Sequence, residues 1–214
     1  MMQITRFIVN MIEENCYLLW DETGEAALID CGAYYPEEHK AIRGFIDRRN
    51  LKLKHLYNTH GHFDHLFGAY SVYEDFGVKI ELSADEQPVY EAAIDQMRMF
   101  MHREFTLQLP PVERYFHDGD ELMVGNSKLK VIATPGHTPG GVCLYAEKEG
   151  ILFSGDSLFR CEIGRCDLLG GSESQLIHAL KTRILALPDH VKVLPGHGDA
   201  TTIGDERERN PYLQ

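Results

Sequence analysis

The densest group of side chains capable of chemistry lies between Thr59 and His65, where the sequence is THGHFDH. It places the imidazoles of His60, His62 and His65 close to the carboxylate of Asp64. In an extended loop, residues two apart project to the same side, so His60 and His62 can bind one metal ion while Asp64 and His65 turn toward another. A lone histidine is more often an ordinary core or surface residue than a ligand. The density of this cluster instead favours a metal site.

Three more candidate ligands follow, each where a predicted strand ends. His137 lies in the loop TPGHTPG, Asp156 ends the segment SGD, and His197 lies in PGHG. Loops at strand ends can aim ligands at a shared site from a rigid scaffold. The candidate metal ligands are therefore His60, His62, Asp64, His65, His137, Asp156 and His197, and the candidate catalytic residues are Asp64 and Asp156.

The ligand types distinguish an open site from a closed one. Structural zinc sites are saturated, usually with cysteine, whereas this set of histidines and aspartates leaves room for water and substrate. A metal-stabilised binding domain with a closed site is therefore the disfavoured alternative. The site is predicted to belong to an enzyme.

Hydrophobic periodicity and turn signals predict the elements that position these loops. Strands are predicted over 3–9, 16–20, 26–29, 53–57, 121–124, 128–133, 141–145, 151–153 and 191–194. Helices are predicted over 36–49, 66–76, 84–105, 173–186 and 204–209. Strands followed by helices, twice over, indicate two sheets packed face to face with helices outside. The chain shows no linker and no repeat, so residues 1–214 are predicted to form a single domain.

The predicted helix over 84–105 carries Met97, Met99, Phe100 and Met101. Methionine and phenylalanine at helical spacing usually fill a core, so a packed helix face is the favoured interpretation. A lid over the substrate is the alternative.

Composition limits the partners and the compartment. The 214 residues carry a net charge of −12, which disfavours nucleic acid because a phosphate backbone requires clustered Lys and Arg. No apolar run approaches the roughly 18–20 residues that span a bilayer, and no signal sequence is recognisable. The five cysteines form an odd set without paired spacing, which favours reduced thiols, and neither Cys161 nor Cys166 has the spacing of a zinc or redox motif. We therefore expect a cytoplasmic protein that acts on a small molecule, with no membrane or nucleic-acid partner; its oligomeric state is left open.

Taken in order, HxHxDH, TPGHTPG, GD and PGHG resemble the motif set of the metallo-β-lactamase superfamily, and the resemblance spans residues 59–198. It implies an α/β fold, the αββα four-layer sandwich of two mixed β-sheets with outer helices. It further implies two divalent metal ions. The first would be bound by His60, His62 and His137, the second by Asp64, His65 and His197, with Asp156 bridging them.

Two ions about 3.5–4 Å apart can hold a bridging water and lower its pKa, so that hydroxide is the nucleophile. Zn is the favoured metal, with Fe and Mn as alternatives, because imidazole and carboxylate suit all three. Asp30, at the end of a predicted strand, resembles a residue that orients a ligand in this superfamily. A turn-forming role for Asp30 is the alternative.

Two segments resemble the hydroxyacylglutathione hydrolase (glyoxalase II) branch, above all its short bacterial form. The first runs from GDSLF at 155–159 to GRCD at 164–167, and the second is TTIGDERERNP at 201–211. Cys166 departs from that branch, which typically has Ser or Thr there. Full-length members add a C-terminal helical domain that contacts glutathione, and the chain is predicted to have none, so glutathione recognition is left open. The resemblance implies hydrolysis of a small thioester or ester by a thioesterase of this type.

Two other activities of the superfamily are weighed against hydrolysis of a thioester. Persulfide (sulfur) dioxygenases share these loops but use a single iron, and they are the alternative function. The best-known β-lactamases have cysteine in place of Asp156 and lack a histidine in place of His65. Antibiotic hydrolysis is therefore disfavoured.

Overall fold

The computed structural model describes residues 1–101 and 107–214. Its strands are β1 (Gln3–Val9), β2 (Glu14–Trp20), β3 (Glu25–Ile29), β4 (Lys52–Tyr57), β5 (Ile80–Ser83), β6 (Val112–Phe116), β7 (Glu121–Val124), β8 (Ser127–Ala133), β9 (Val142–Ala146), β10 (Ile151–Gly155), β11 (Leu158–Phe159), β12 (Glu162–Ile163), β13 (Lys192–Pro195) and β14 (Thr201–Thr202). Its α-helices are α1 (Pro36–Arg48), α2 (Ala69–Phe76), α3 (Gln87–Glu91), α4 (Ala93–Met101), α5 (Glu173–Ala179) and α6 (Ile203–Arg209).

Twelve of these strands form two mixed sheets of six. The first has the order β1-β2-β3-β4-β5-β6, antiparallel from β1 to β3 and parallel from β3 to β6. The second has the order β14-β13-β10-β9-β8-β7, in which only β10 and β13 are parallel neighbours. The predicted two mixed sheets are confirmed.

Alternation along the strands divides the buried residues into layers. In β2, Tyr17 and Leu19 enter the core between the two sheets, while Leu18 and Trp20 enter the core under the first helical layer. That helical layer contains α1, α2 and α4. On the other side, α5 and α6 pack on the outer face of the second sheet through residues such as Leu176 and Ile203. The result is the αββα sandwich.

Several elements differ from the predictions. The region predicted as one helix over 84–105 consists of a 3-10 turn at 84–86 followed by α3 and α4, with Pro88 in the first turn of α3; residues 102–105 of that prediction lie outside the described residues. The helix predicted from residue 66 begins at Ala69, because 63–65 form a separate 3-10 turn. The helix predicted over 173–186 is α5 continued by a wider, π-type turn at 180–184.

Strands β5 and β6 were not predicted, although both belong to the first sheet. The four residues of β5, IELS, do alternate between apolar and polar, but the run is short and all four residues are buried, so the polar Glu81 and Ser83 do not mark a solvent-facing side. Among the described residues, no helix is long and apolar enough to cross a membrane.

The candidate ligands come from strand ends at one edge of the sandwich. The strands β4, β8, β10 and β13 all run toward this edge, and the loop after each carries candidate ligands. Hydrogen bonds join the two sheets there: Val142 N–H donates to the Thr59 carbonyl at 3.0 Å and Asn15 N–H to the Gly196 carbonyl at 2.7 Å. These hydrogen bonds hold the ligand-bearing loops of the two sheets next to each other at this edge.

Candidate metal centre

Three buried imidazoles form the first group of candidate ligands. His60 and His62 follow β4, and His137 lies in the loop between β8 and β9. Their ligand atoms all lie within 4.8 Å of one another. The Nε2 atoms of all three are buried and have no hydrogen-bond partner. A buried polar atom left unpaired is costly, so these three nitrogens fit the ligands of a metal ion.

The second group combines a carboxylate with two imidazoles. Ligand atoms of Asp64, His65 and His197 lie within 4.8 Å of one another. Asp64 Oδ2 is 3.2 Å from His197 Nε2 and 3.6 Å from His65 Nε2. This group is more open than the first, because the His197 side chain is 24% exposed whereas that of His137 in the first group is 5% exposed.

Asp156 lies between the two groups. Its Oδ2 is 3.8 Å from His137 Nε2 of the first group and 3.7 Å from His197 Nε2 of the second. Its Oδ1 is 3.4 Å from His65 Nε2 and has no hydrogen-bond partner. The carboxylate therefore faces both groups at once, as a bridging ligand must.

Contacts on the far side of the rings orient three of the imidazoles. His137 Nδ1 lies 2.7 Å from the Arg165 carbonyl, and His197 Nδ1 lies 3.0 Å from the Ile12 carbonyl. A carbonyl can only accept, so each Nδ1 carries a proton. The Nε2 of His137 is then left without a partner, whereas that of His197 lies 3.2 Å from Asp64 Oδ2. The Thr59 hydroxyl donates to Asp30 at 2.8 Å and accepts from His60 Nδ1 at 3.0 Å, which gives His60 the same tautomer.

Asp30 has both of the roles that the sequence left open. It ends β3 in the left-handed conformation, with φ of 51°, so it does form a turn. Its carboxylate also accepts the Thr59 N–H at 2.8 Å, and its Oδ2 lies 3.1 Å from His65 Nδ1. That contact is on the opposite side of the ring from Nε2, which faces Asp64 and Asp156. The pair is an ion-pair contact and not a hydrogen bond, because His65 Nδ1 has no hydrogen-bond partner among the described residues. Asp30 therefore lies where its charge can orient His65.

The electrostatics of the first group favour neutral imidazoles. Burial, reinforced by the neighbouring His65, holds the pKa of His60 well below its usual range. Burial and then His137 lower the pKa of His62 to about 4, and burial lowers that of His137. Neutral imidazole is the metal-binding form, so these residues are ready to bind at neutral pH.

The bridging position is electrostatically distinct. Burial by itself would raise the pKa of Asp156, but the positive charge of His65 beside it holds that pKa well below its usual range. The carboxylate is therefore ionised, which is the form that binds metal.

Glu86, which the sequence analysis missed, joins two of these loops. Its side chain is fully buried. Its Oε1 accepts the Gly61 N–H at 2.9 Å, from the loop of His60 and His62. Its Oε2 accepts the Thr138 hydroxyl and the Gly140 N–H, both at 2.9 Å, from the loop of His137. No spacing or motif in the sequence marks this residue, because its role depends on a contact between distant loops.

One glycine is required by close approach. A Cβ atom on Gly196 would overlap Asp156 Oδ1 and lie 2.8 Å from His65 Cε1. The residue before His197 must therefore be glycine for Asp156 and His65 to hold their positions.

Comparison with known proteins agrees with this architecture. Residues 12–197 match the family described as the metallo-beta-lactamase superfamily. The chain belongs to this superfamily. A Haemophilus influenzae protein named hydroxyacylglutathione hydrolase GloC is 35% identical over 214 residues, covering 99% of this chain and 98% of that protein.

Two solved structures extend the comparison. The crystal structure of BLEG-1 B3 metallo-beta-lactamase superposes with a TM-score of 0.89 and 32% identity, covering 99% of both chains. The crystal structure of TTHA1623 in a di-iron-bound form superposes with a TM-score of 0.86 and 32% identity, covering 98% of this chain and 100% of that one. The metallo-β-lactamase fold predicted from the motifs is thus confirmed.

In this metallo-β-lactamase fold, a cleft of about 350 Å³ opens directly onto the candidate ligands. His62, Asp64, His137 and Asp156 form its floor, and its walls are Ile12, Phe63, Gln96, Phe100, Met101, Arg165 and Leu168. A larger cavity of about 680 Å³, lined by Arg6, Arg160 and Lys192 among others, has none of the candidate ligands in its walls. The smaller cleft is therefore the one at which chemistry can occur.

The cleft also decides between the two interpretations of the methionine-rich segment. Met97 is fully buried in the core beneath the first helical layer, as the favoured interpretation predicts. Phe100 and Met101, by contrast, line the cleft, and Met99 is 72% exposed. The packed helix face is correct for Met97 and wrong for Phe100, because that side of α4 turns toward the site.

Proposed function

We propose that this chain is a binuclear metal-dependent hydrolase that cleaves a small thioester or ester. The observation that carries the proposal is the position of Asp156 between two groups of candidate ligands, each with ligand atoms within 4.8 Å of one another. The unpaired Nε2 atoms of the first group and the unpaired Oδ1 of Asp156 fit metal ions in both chemistry and position.

We assign His60, His62 and His137 to one ion, Asp64, His65 and His197 to the other, and Asp156 to both. When bound, two divalent ions would lower the pKa of a water molecule between them and polarise the scissile carbonyl. The protein residues position those ions: Asp30 orients His65, Thr59 orients His60, and backbone carbonyls orient His137 and His197. Zn, Fe and Mn all suit this donor set, and Zn is our assignment.

A thioester or ester is the substrate class best supported among the superfamily's activities. The Haemophilus relative, which the chain covers almost completely, is named a hydroxyacylglutathione hydrolase. One similar structure is named a B3 metallo-beta-lactamase, so a β-lactam must be assayed beside the thioester. The histidine at 65 and the aspartate at 156, both absent at the corresponding positions of the best-known β-lactamases, support the thioester.

The test combines metal content with turnover. Purified protein is assayed by elemental analysis and for hydrolysis of S-lactoylglutathione and of a β-lactam. The same measurements are made on Asp64→Ala and on a control, Asp95→Ala, whose carboxylate is exposed on α4 and pairs with Arg98. We expect about two metal ions per chain, cleavage of the thioester, loss of both the second ion and activity in Asp64→Ala, and no change in the control.

Other outcomes point to different functions. A single iron, with oxygen uptake on glutathione persulfide and no hydrolysis, would establish the dioxygenase instead. Cleavage of the β-lactam alone would replace the thioesterase by a β-lactamase. The predictions of a single domain over residues 1–214 and of a cytoplasmic location are part of the same proposal and stay predictions.

A further inference from the structure

We infer that the cleft over the metal centre binds an apolar, uncharged acyl group, so that the substrates are thioesters of aliphatic or aromatic acids. This inference rests on the proposed hydrolase function and names its substrate class. It starts from the contrast between the cleft's floor, which is made of candidate metal ligands, and its walls, which are mostly hydrocarbon. A group held by those walls lies next to the reacting carbonyl.

The apolar walls come from separate parts of the chain that meet only in the folded protein. Ile12 comes from the turn between β1 and β2, Phe100 and Met101 from α4, and Leu168 from the loop after β12. Ile12 and Phe100 are 46% and 41% exposed, although large apolar side chains are usually buried. Apolar side chains that converge around a concave site are typical of ligand recognition.

Phe100 is held in place rather than loosely exposed. Its ring stacks on that of Phe63 with centroids 5.8 Å apart, and the Arg165 guanidinium lies over it, 5.7 Å from the ring centroid. Phe63 in turn packs edge-on against Phe67 in the core. A ring fixed in this way is a preorganised surface for an apolar group.

The side chains in the walls of the cleft offer no free positive charge to a carboxylate-bearing group. Among the described residues that line it, Arg165 is the only cation, and both its Nε and its Nη2 donate to the Asp167 carboxylate at 2.8 Å. A charged thiol carrier such as glutathione would therefore find no unpaired cation in these walls. The apolar walls therefore suit the acyl group better than a charged carrier, and we assign the acyl group to them.

The volume is consistent with this occupant. An engineered cavity of about 150 Å³ is enough to bind benzene. A cleft of about 350 Å³ can therefore hold a phenyl or short branched alkyl group together with the thioester carbonyl. A 2-hydroxyacyl group as small as lactoyl would leave most of the apolar wall uncovered.

The experiment compares acyl groups on one carrier. The metal-loaded protein is assayed with the acetyl, lactoyl and phenylacetyl thioesters of N-acetylcysteamine, and kcat/KM is measured for each. We expect phenylacetyl to exceed acetyl by at least about tenfold, the range that one apolar contact contributes to specificity. Phe100→Ala, and separately Leu168→Ala, should each lower that ratio several-fold, while Met99→Ala, one residue away and outside the cleft lining, leaves it unchanged.

The outcomes separate this inference from the proposed function. Equal kcat/KM for all three acyl groups, or a preference that follows the thiol when phenylacetyl is moved to glutathione, would overturn the acyl assignment while leaving the hydrolase intact. Absence of hydrolysis would overturn the proposed function. In that case the acyl-binding inference is tested by calorimetry with the phenethyl thioether of N-acetylcysteamine, which cannot be hydrolysed. Weaker binding by Phe100→Ala would support the inference, and unchanged binding would refute it.

Discussion

Replacing Glu86 by alanine removes the buried carboxylate that joins the loop of His60 and His62 to the loop of His137. Two backbone N–H groups, of Gly61 and Gly140, would lose their acceptor in a site closed to solvent. Each buried donor left unpaired costs about 1–3 kcal/mol, whereas the third donor, the Thr138 hydroxyl, can rotate to another partner. With the cavity left by the side chain added to these two unpaired donors, we expect the free energy of unfolding to fall by about 3–5 kcal/mol.

The same change should weaken metal binding. Neither loop is then held by the other, so the Nε2 atoms of the first group lose their fixed spacing. Contacts that support metal ligands typically contribute 10- to 100-fold in affinity, and we expect a loss of about that size. Urea unfolding of the metal-free protein measures the first effect, and competition with a chromophoric chelator measures the second.

A matched control is available in the next helix. Glu91 is exposed at the end of α3 and accepts a hydrogen bond from the Gln87 side chain, so Glu91→Ala should change stability by no more than about 0.5 kcal/mol. If Glu86→Ala lost less than about 1 kcal/mol and bound metal as tightly as the wild type, the argument that unpaired donors fix this loop pair would be refuted.

Three further predictions test other parts of the site. Burial raises the pKa of Glu86 to about 7 from its usual value of 4.5, so the folded state holds that proton more tightly than the unfolded state. As the pH rises from 4.5 to 7, the wild type should therefore lose about 3 kcal/mol of stability relative to Glu86→Gln. A pH-independent difference in urea unfolding would contradict this. Asn tolerates the left-handed backbone at position 30, so Asp30→Asn should keep the secondary structure measured by circular dichroism. It should weaken the orientation of His65 and lower metal affinity about 10- to 100-fold. Unchanged affinity would show that Asp30 does not orient His65. Gly196→Ala should displace Asp156 and reduce the bound metal measured by elemental analysis. The control Gly44→Ala, whose Cβ would meet the end of the Arg48 side chain, should retain its metal. Full metal content in both variants would show that the close approach at Gly196 does not determine metal binding.

Local sequence patterns were sufficient for much of the fold. Strands β1 and β7 have the predicted bounds, and β3, β8 and β13 differ from theirs by one residue at one or both ends, because alternating side chains and turn residues act over short distances. Strands β5 and β6 could not be predicted in the same way. β5 is hydrogen-bonded to β4, and β6 is hydrogen-bonded to β5. These neighbours, which come from other parts of the chain, make the two short segments strands.

The site divides along the same line. The chain itself determines the ligand types, since a cluster of histidines with aspartate at strand ends has few structural explanations, and it determines the order of the loops. Only the folded protein decides that Asp156 faces both groups, that Asp30 turns to the far side of His65, and that Glu86 ties two loops together. Only the folded protein, too, brings Ile12 and Phe100 to the same cleft. The physical reason is that ligand chemistry belongs to the residue, whereas distance, burial and hydrogen-bond partners belong to the way remote segments pack.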